Sequence, residues 1–235
     1  MRIVVIIQAR LGSKRLPRKV LAEILGRPML AVLLDRLRGA ECVDEFVIAT
    51  TDQPQDTAVA ELAAAEGFSC YRGSEDDVLD RFYQTAKLHG ADVIIRLTGD
   101  NPLMDVDLVD WIVGEFRKQP IDYAAISHEL GFPPGIGGEI FTMQALEQAW
   151  QEATGPARRE HVTSFIYQQP ERFRCVKLGC ETDYSHLRAT VDTPEDLEVV
   201  RRIFDTMGHT RFPWREFPAL LARHPDWLAL NASVS

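Results

Sequence analysis

The strongest constraint on this chain is an unbroken apolar run at its start, Ile3-Val4-Val5-Ile6-Ile7, followed at once by polar residues. Five consecutive apolar residues with no alternation describe a strand buried on both faces, as in a parallel sheet covered by helices. Similar runs recur at Glu45 to Thr50 and Asp92 to Leu97, with a shorter one at Ser69 to Arg72. Helical segments stand between them. Met29 to Leu37 begins after Pro28 and ends before Gly39, Asp56 to Gly67 is rich in alanine, and a third helix runs from the Gly73–Asp77 turn through about Leu88 to Gly90. The alternation β, α, β, α, β, α predicts an α/β fold with a doubly wound, mostly parallel sheet and helices on both faces.

Farther along, the pattern predicts a helix over Val106 to Lys118, a strand over Asp122 to Ser127 and an irregular loop over Gly131 to Glu139. Helices follow near 143–153 and 157–168, then strands at Arg172 to Lys177 and Leu187 to Val191. Thr193 as N-cap, Pro194 at the first helical position and acidic residues behind them mark a helix start. Glu195 and Asp196 need no explanation beyond that start. A short helix is expected between Trp214 and Trp227. At 235 residues the chain is read as one domain, 1–235, with 131–170 as a substrate-facing or dimerisation insertion.

Charge is distributed unevenly. The formal net charge is -9, yet Arg10, Lys14, Arg15, Arg18 and Lys19 put five cations into ten residues directly after the first strand. In open parallel sheets ligands sit outside the carboxyl ends of the strands, so this placement suits a small polyanion; a solvated basic face is the alternative. Gly12 would let backbone N–H groups approach phosphate oxygens, and Pro17 would fix the loop. The loop has neither the Walker nor the G-x-G-x-x-G spacing. One basic loop on an acidic chain does not make a nucleic-acid-binding face.

Two carboxylates follow later strands. Asp100 comes after Thr98-Gly99, and Asp192 after Leu187 to Val191. Carboxylates brought close together repel unless a cation joins them, and an oxygen-only pair suits Mg²⁺. Arg96, on a buried strand, needs an acidic partner or a ligand. Cys42, Cys70, Cys175 and Cys180 form no C-x-x-C pair, which points away from metal and disulfide chemistry. The N-terminus is too short in apolar residues for a signal peptide and no stretch reaches membrane-spanning length, so no membrane partner is expected and the cytoplasm is the default location.

The segment Ile7-Gln8-Ala9-Arg10-Leu11-Gly12-Ser13-Lys14-Arg15-Leu16-Pro17-Arg18-Lys19-Val20-Leu21 resembles the opening signature of the CMP-sugar synthetase superfamily, closest to its spore-coat-polysaccharide cytidylyltransferase-like branch. Gly99-Asp100-Asn101-Pro102 and Asp192-Thr193-Pro194-Glu195-Asp196-Leu197 are similar to the two aspartate motifs that bind Mg²⁺ there. Arg72 to Arg81 resembles the segment near the cytosine. Arg159-Glu160-His161-Val162-Thr163 and the loop ending at Glu139 resemble branch motifs facing the sugar. The matches keep their order from residue 3 to 200.

The resemblance implies transfer of CMP from CTP to a sugar acid or related hydroxyl acceptor with release of pyrophosphate, by a homodimer in polysaccharide biosynthesis. Arg10, Lys19, Asp100 and Asp192 are the candidate catalytic residues, the two aspartates also the metal ligands. Gln8, Ala9, Arg10, Gly12, Ser13, Arg15, Lys19, Gly73, Ser74, Asp77 and Thr98 are the candidate nucleotide contacts; Arg96, Gly135, Glu139, Arg159, Glu160 and His161 are those for the acceptor. The chain departs from the branch at Lys14, Arg18 and Gly137, the last replacing an acidic residue. Two other readings compete: a glycosyltransferase, which would want a D-x-D element at a strand end where this chain has none, and a non-catalytic nucleotide-binding module, which would not need both aspartates.

Overall fold

The computed structural model describes residues 1–232 and Val234. Its strands are β1 (Ile3–Gln8), β2 (Glu23–Ile24), β3 (Arg27–Pro28), β4 (Glu45–Thr51), β5 (Ser69–Gly73), β6 (Val93–Thr98), β7 (Tyr123–Ile126), β8 (Glu139–Thr142) and β9 (Cys175–Leu178). Seven form one sheet in the order β5-β4-β1-β6-β8-β7-β9, while β2 and β3 make a separate hairpin. β1 pairs in parallel with β4 on one side and β6 on the other. β8 lies antiparallel between β6 and β7, and β9 is parallel to β7. The sheet is therefore mostly parallel, as its apolar runs predict.

Helices cover both faces: α1 (Met29–Leu37), α2 (Thr57–Ala65), α3 (Val78–Leu88), α4 (Val106–Arg117), α5 (Met143–Glu152), α6 (Pro156–Glu160), α7 (Ser164–Tyr167), α8 (Pro194–Met207), α9 (Glu216–Arg223) and α10 (Pro225–Asn231). The side chains of β1 alternate between two cores. Ile3, Val5 and Ile7 pack with residues of α1, α4 and α8, whereas Val4 and Ile6 pack with α3, α5 and α7. Being buried on both sides is why β1 carries no polar residue before Gln8.

The chain runs outward from β1 to β4 and β5, then returns to β6 on the opposite side of β1. That reversal opens a crevice beyond the carboxyl ends of β1 and β6. Gly99 lets the two ends close up, since a Cβ there would stand 3.1 Å from the Ala9 Cβ and 3.3 Å from the Gln8 carbonyl oxygen.

The structure corrects four expectations. Leu187 to Val191 is irregular and joins no strand; Ala189 N–H donates to the Pro134 carbonyl (2.7 Å) and Val191 N–H to that of Asp100 (2.9 Å). The helix expected over 157–168 breaks into α6 and α7 at His161–Thr163, where Val162 has a positive φ of 39°. Glu139–Thr142 is a strand, not the end of a loop. The tail carries two helices, α9 and α10, where one is expected. The start of α8 matches its signature, with Thr193 and Asp196 forming a reciprocal capping box and Pro194 behind Thr193.

Candidate active site

The basic loop is fastened before it reaches the crevice. The buried Asp56 carboxylate accepts the Leu11 N–H at 2.7 Å, and Arg18, in the left-handed region, donates its N–H back to the Leu11 carbonyl at 3.2 Å. So folded, the loop walls a cavity of about 400 Å³ with Gln8, Ala9, Arg10, Gly12, Ser13, Arg15 and Lys19, opposite Thr98 and Asp100 from the end of β6 and Asp192. Eight of the candidate nucleotide contacts thus share one cavity. Gly73, Ser74 and Asp77 stand outside it at the end of β5. Arg10 reaches toward them, its guanidinium 3.1 Å from Glu75.

At the centre lies Lys19. Its ammonium donates to Asp100 Oδ2 at 2.7 Å and to Asp192 Oδ1 at 2.8 Å. Burial alone would lower the Lys19 pKa, but Asp100 and Asp192 outweigh it and raise the value above the ordinary 10.5. Burial would likewise lift Asp192, and Lys19, Arg15 and Arg188 together hold it below the usual carboxylate range. Thr98 donates its hydroxyl to Asp100 Oδ1 at 2.5 Å. The two carboxylates converge on one point, and that point is held by a cation.

This donor set fits a magnesium ion. Mg²⁺ takes one or two carboxylates and completes its shell with phosphate oxygens and water. Among the described residues no cluster of three or more His, Cys, Asp or Glu side chains is arranged to hold a metal. The remaining ligands would come from a phosphate-bearing molecule, for which the cationic wall is placed.

A second cavity of about 680 Å³ adjoins the first across Thr98 and spreads over β6, β8, β7 and β9. Arg96 and Glu139 line it, and their side chains pair at 2.6 Å. Glu139 is also the acceptor for the Tyr123 hydroxyl (2.6 Å) and the Thr163 hydroxyl (2.5 Å), while Arg96 reaches Gln8 Oε1 at 3.3 Å. A polar chain therefore runs from Tyr123 to the wall of the phosphate cavity. Burial, reinforced by the Glu139 carboxylate, pushes the Tyr123 hydroxyl pKa far up and keeps it a donor.

Other candidate acceptor contacts lie elsewhere. Glu160 lines the phosphate cavity instead. Arg159 forms a forked pair with Asp77, Nε at 3.0 Å from both carboxylate oxygens, and so ties α6 to α3. His161 is exposed and lines neither cavity. Gly135, with φ of 95°, sits against the 189–190 backbone, where a Cβ would fall 2.1 Å from the Thr190 nitrogen.

The residues that sequence reasoning passes over are Tyr123, Thr163 and Arg188. Alternation along the predicted strand places Tyr123 on the same face as Ala125, but its link to Glu139 requires β8 to be recognised first. Thr163 stands at the end of the Arg159–Thr163 motif without being singled out within it, and Arg188 carries no sequence signal of its own.

Residues 4–210 match the cytidylyltransferase family. The chain belongs to that family. It is a nucleotidyltransferase by that membership, which answers the glycosyltransferase and non-catalytic readings. The chain is 36% identical to the spore coat polysaccharide biosynthesis protein SpsF of Bacillus subtilis, over 95% of each chain. It is also 36% identical to the 3-deoxy-manno-octulosonate cytidylyltransferase of Chlorobium phaeobacteroides, over 87% of this chain and 97% of that one. A solved cytidylyltransferase from Leptospira borgpetersenii superposes with a TM-score of 0.93 at 31% identity, covering 97% of both chains. Among the described residues no helix is long and apolar enough to cross a membrane.

Proposed function

We propose that this member of the family transfers CMP from CTP to a sugar acid, releasing pyrophosphate, with Mg²⁺ as the metal. The observation that carries the reading is the Lys19 ammonium drawn between Asp100 and Asp192 inside a cavity that Arg10, Lys14 and Arg15 also line. Such a site suits a triphosphate and its counter-ion. Its place at the reversal of strand order and the names of the two relatives support the same substrate pair.

In this reading Arg10, Ser13, Arg15 and Lys19 hold the triphosphate, the lysine and the two arginines as cations. The acceptor occupies the larger cavity, with its hydroxyl brought to the α-phosphorus past Thr98. An oxygen–phosphorus bond forms to the acceptor hydroxyl, whose proton passes to solvent, as the bond to the β-phosphate breaks and pyrophosphate leaves. Arg and Lys side chains neutralise the charge gathering on the leaving pyrophosphate, which is positioning and electrostatics rather than covalent catalysis. Asp100 and Asp192 would hold Mg²⁺, and the ion would supply positive charge against the phosphates.

The reading extends to a cytoplasmic homodimer serving surface polysaccharide synthesis, spore coat included, with the 131–170 stretch on the acceptor and dimer side; family likeness supports these points. The test is pyrophosphate release from each of the four nucleoside triphosphates with Mg²⁺ against a pool of 3-deoxy-sugar and nonulosonic acids. Release with CTP alone, abolished in Asp100→Ala, is the expected result. Release with a purine triphosphate, or unchanged activity in the variant, would overturn it.

A further inference from the structure

Asp196 does more than cap α8. Its carboxylate is fully buried and gathers donors from three parts of the chain. Oδ2 accepts the backbone N–H groups of Asp192 (3.0 Å) and Thr193 (3.1 Å); Oδ1 accepts Arg188 Nε (2.8 Å) and the Asn231 side-chain amide (3.0 Å). Asn231 ends α10 and is itself buried, 35 residues farther along the chain. The other arm of the Arg188 fork reaches Asp192 Oδ2 at 2.9 Å. The two oxygens of Asp192 are thereby differentiated: Oδ2 is engaged by Arg188, with Arg15 at 3.3 Å, and Oδ1 faces Lys19.

We propose that Arg188, anchored by Asp196 and Asn231, is a positioning residue that fixes Asp192 so that Oδ1 is the oxygen offered to a divalent cation, and that α10 thereby belongs to the frame of the active site. The inference rests on the reading of Asp192 as a metal-holding carboxylate. A carboxylate at the end of a segment that joins no ladder has no sheet to orient it. A planar guanidinium spanning two carboxylates supplies that orientation, which a flexible ammonium cannot reproduce. Partners of this kind behind metal ligands change metal affinity about 10- to 100-fold when altered.

Mn²⁺ serves as the probe, with free metal read by electron paramagnetic resonance during titration of the full chain in the presence of CTP, and CTP affinity measured separately without metal. Arg188→Lys keeps the charge but not the fork; we expect about tenfold weaker Mn²⁺ binding with metal-free CTP affinity within about twofold of the unaltered protein. Asn231→Leu should weaken Mn²⁺ binding in the same direction, about threefold, and is the milder variant should Arg188→Lys fold poorly. Wild-type Mn²⁺ affinity in Arg188→Lys would show that charge alone suffices, and a parallel loss of metal-free CTP affinity would show a general disturbance of the pocket; either overturns the proposal. Wild-type affinity in Asn231→Leu removes α10 from it. If Asp192→Asn binds Mn²⁺ as the unaltered protein does, the metal reading itself falls, and this separates its failure from that of the positioning role.

Discussion

At the scale of single residues, the cluster around Lys19 sets a pH window. The Asp192 pKa is depressed in the folded state, so its stabilising contribution is present above the ordinary value of 3.8 and is lost as pH falls through the lower folded value. The Lys19 pKa is raised, so its contribution is present below 10.5 and lost as pH rises through the higher folded value. Asp192→Asn should therefore cost about 2 kcal/mol near neutrality, the size of a charge-assisted hydrogen bond in a partly buried site. The difference from the unaltered protein should hold constant between about pH 5 and 9 and shrink beyond both ends. Urea unfolding of the two proteins at pH 3, 5, 7 and 9 reads it directly, and a difference as large at pH 3 as at pH 7 would refute the assignment.

At the scale of elements, legibility in the sequence follows how much of an element's character is local. β1, β4 and β6 are buried on both faces and declare themselves as apolar runs. α8 declares itself by its cap. β8 does not, because four residues after a Pro- and Gly-rich loop carry no period, and its place between β6 and β7 is settled by pairing alone. Leu187 to Val191 shows the converse: apolar residues alternate there as in a strand, yet the hydrogen bonds go to two loops and build no ladder. The site divides the same way. Asp100 stands just past the end of β6 and Lys19 in the basic loop after β1, where sequence reasoning looks, and Asp192 is found because its segment reads as a strand; the partners of Glu139 depend on the register of β8. In that register Glu139 stands opposite Arg96 and accepts from Tyr123 across the other edge. Removing the carboxylate takes the ion-pair partner from the half-buried Arg96 guanidinium, which keeps only Gln8, and the acceptor from the Tyr123 and Thr163 hydroxyls, so Glu139→Ala should cost about 3 kcal/mol. Glu139→Gln, which retains an oxygen for Tyr123 and Thr163, should cost about half as much. Equal losses in the two variants by urea denaturation would mean that β8 is held by packing and not by this pair.

At the scale of the whole molecule, a chain of net charge -9 must admit a ligand that is itself an anion. Two fields oppose each other over different distances. The acidic surface repels a nucleoside triphosphate from afar, and the cations of the β1 loop attract it close to the crevice. Salt separates them, because the screening length falls from about 30 Å at 0.01 M to about 8 Å at 0.15 M ionic strength. The first additions of salt should cancel the long-range repulsion while leaving the loop's attraction, which acts inside the shorter length, largely in place. Further salt should then weaken the loop too. The association rate constant of a fluorescent CTP analogue, followed by stopped flow at fixed Mg²⁺, is therefore expected to rise between about 0.01 and 0.1 M ionic strength and to fall beyond about 0.3 M. In Arg15→Gln the rise should remain and the fall should become shallower, since the acidic surface is unchanged and one attracting charge is gone. A steady decline from the lowest salt would show that the basic loop dominates at every distance, and that the acidic balance of the chain has no part in governing access to the site.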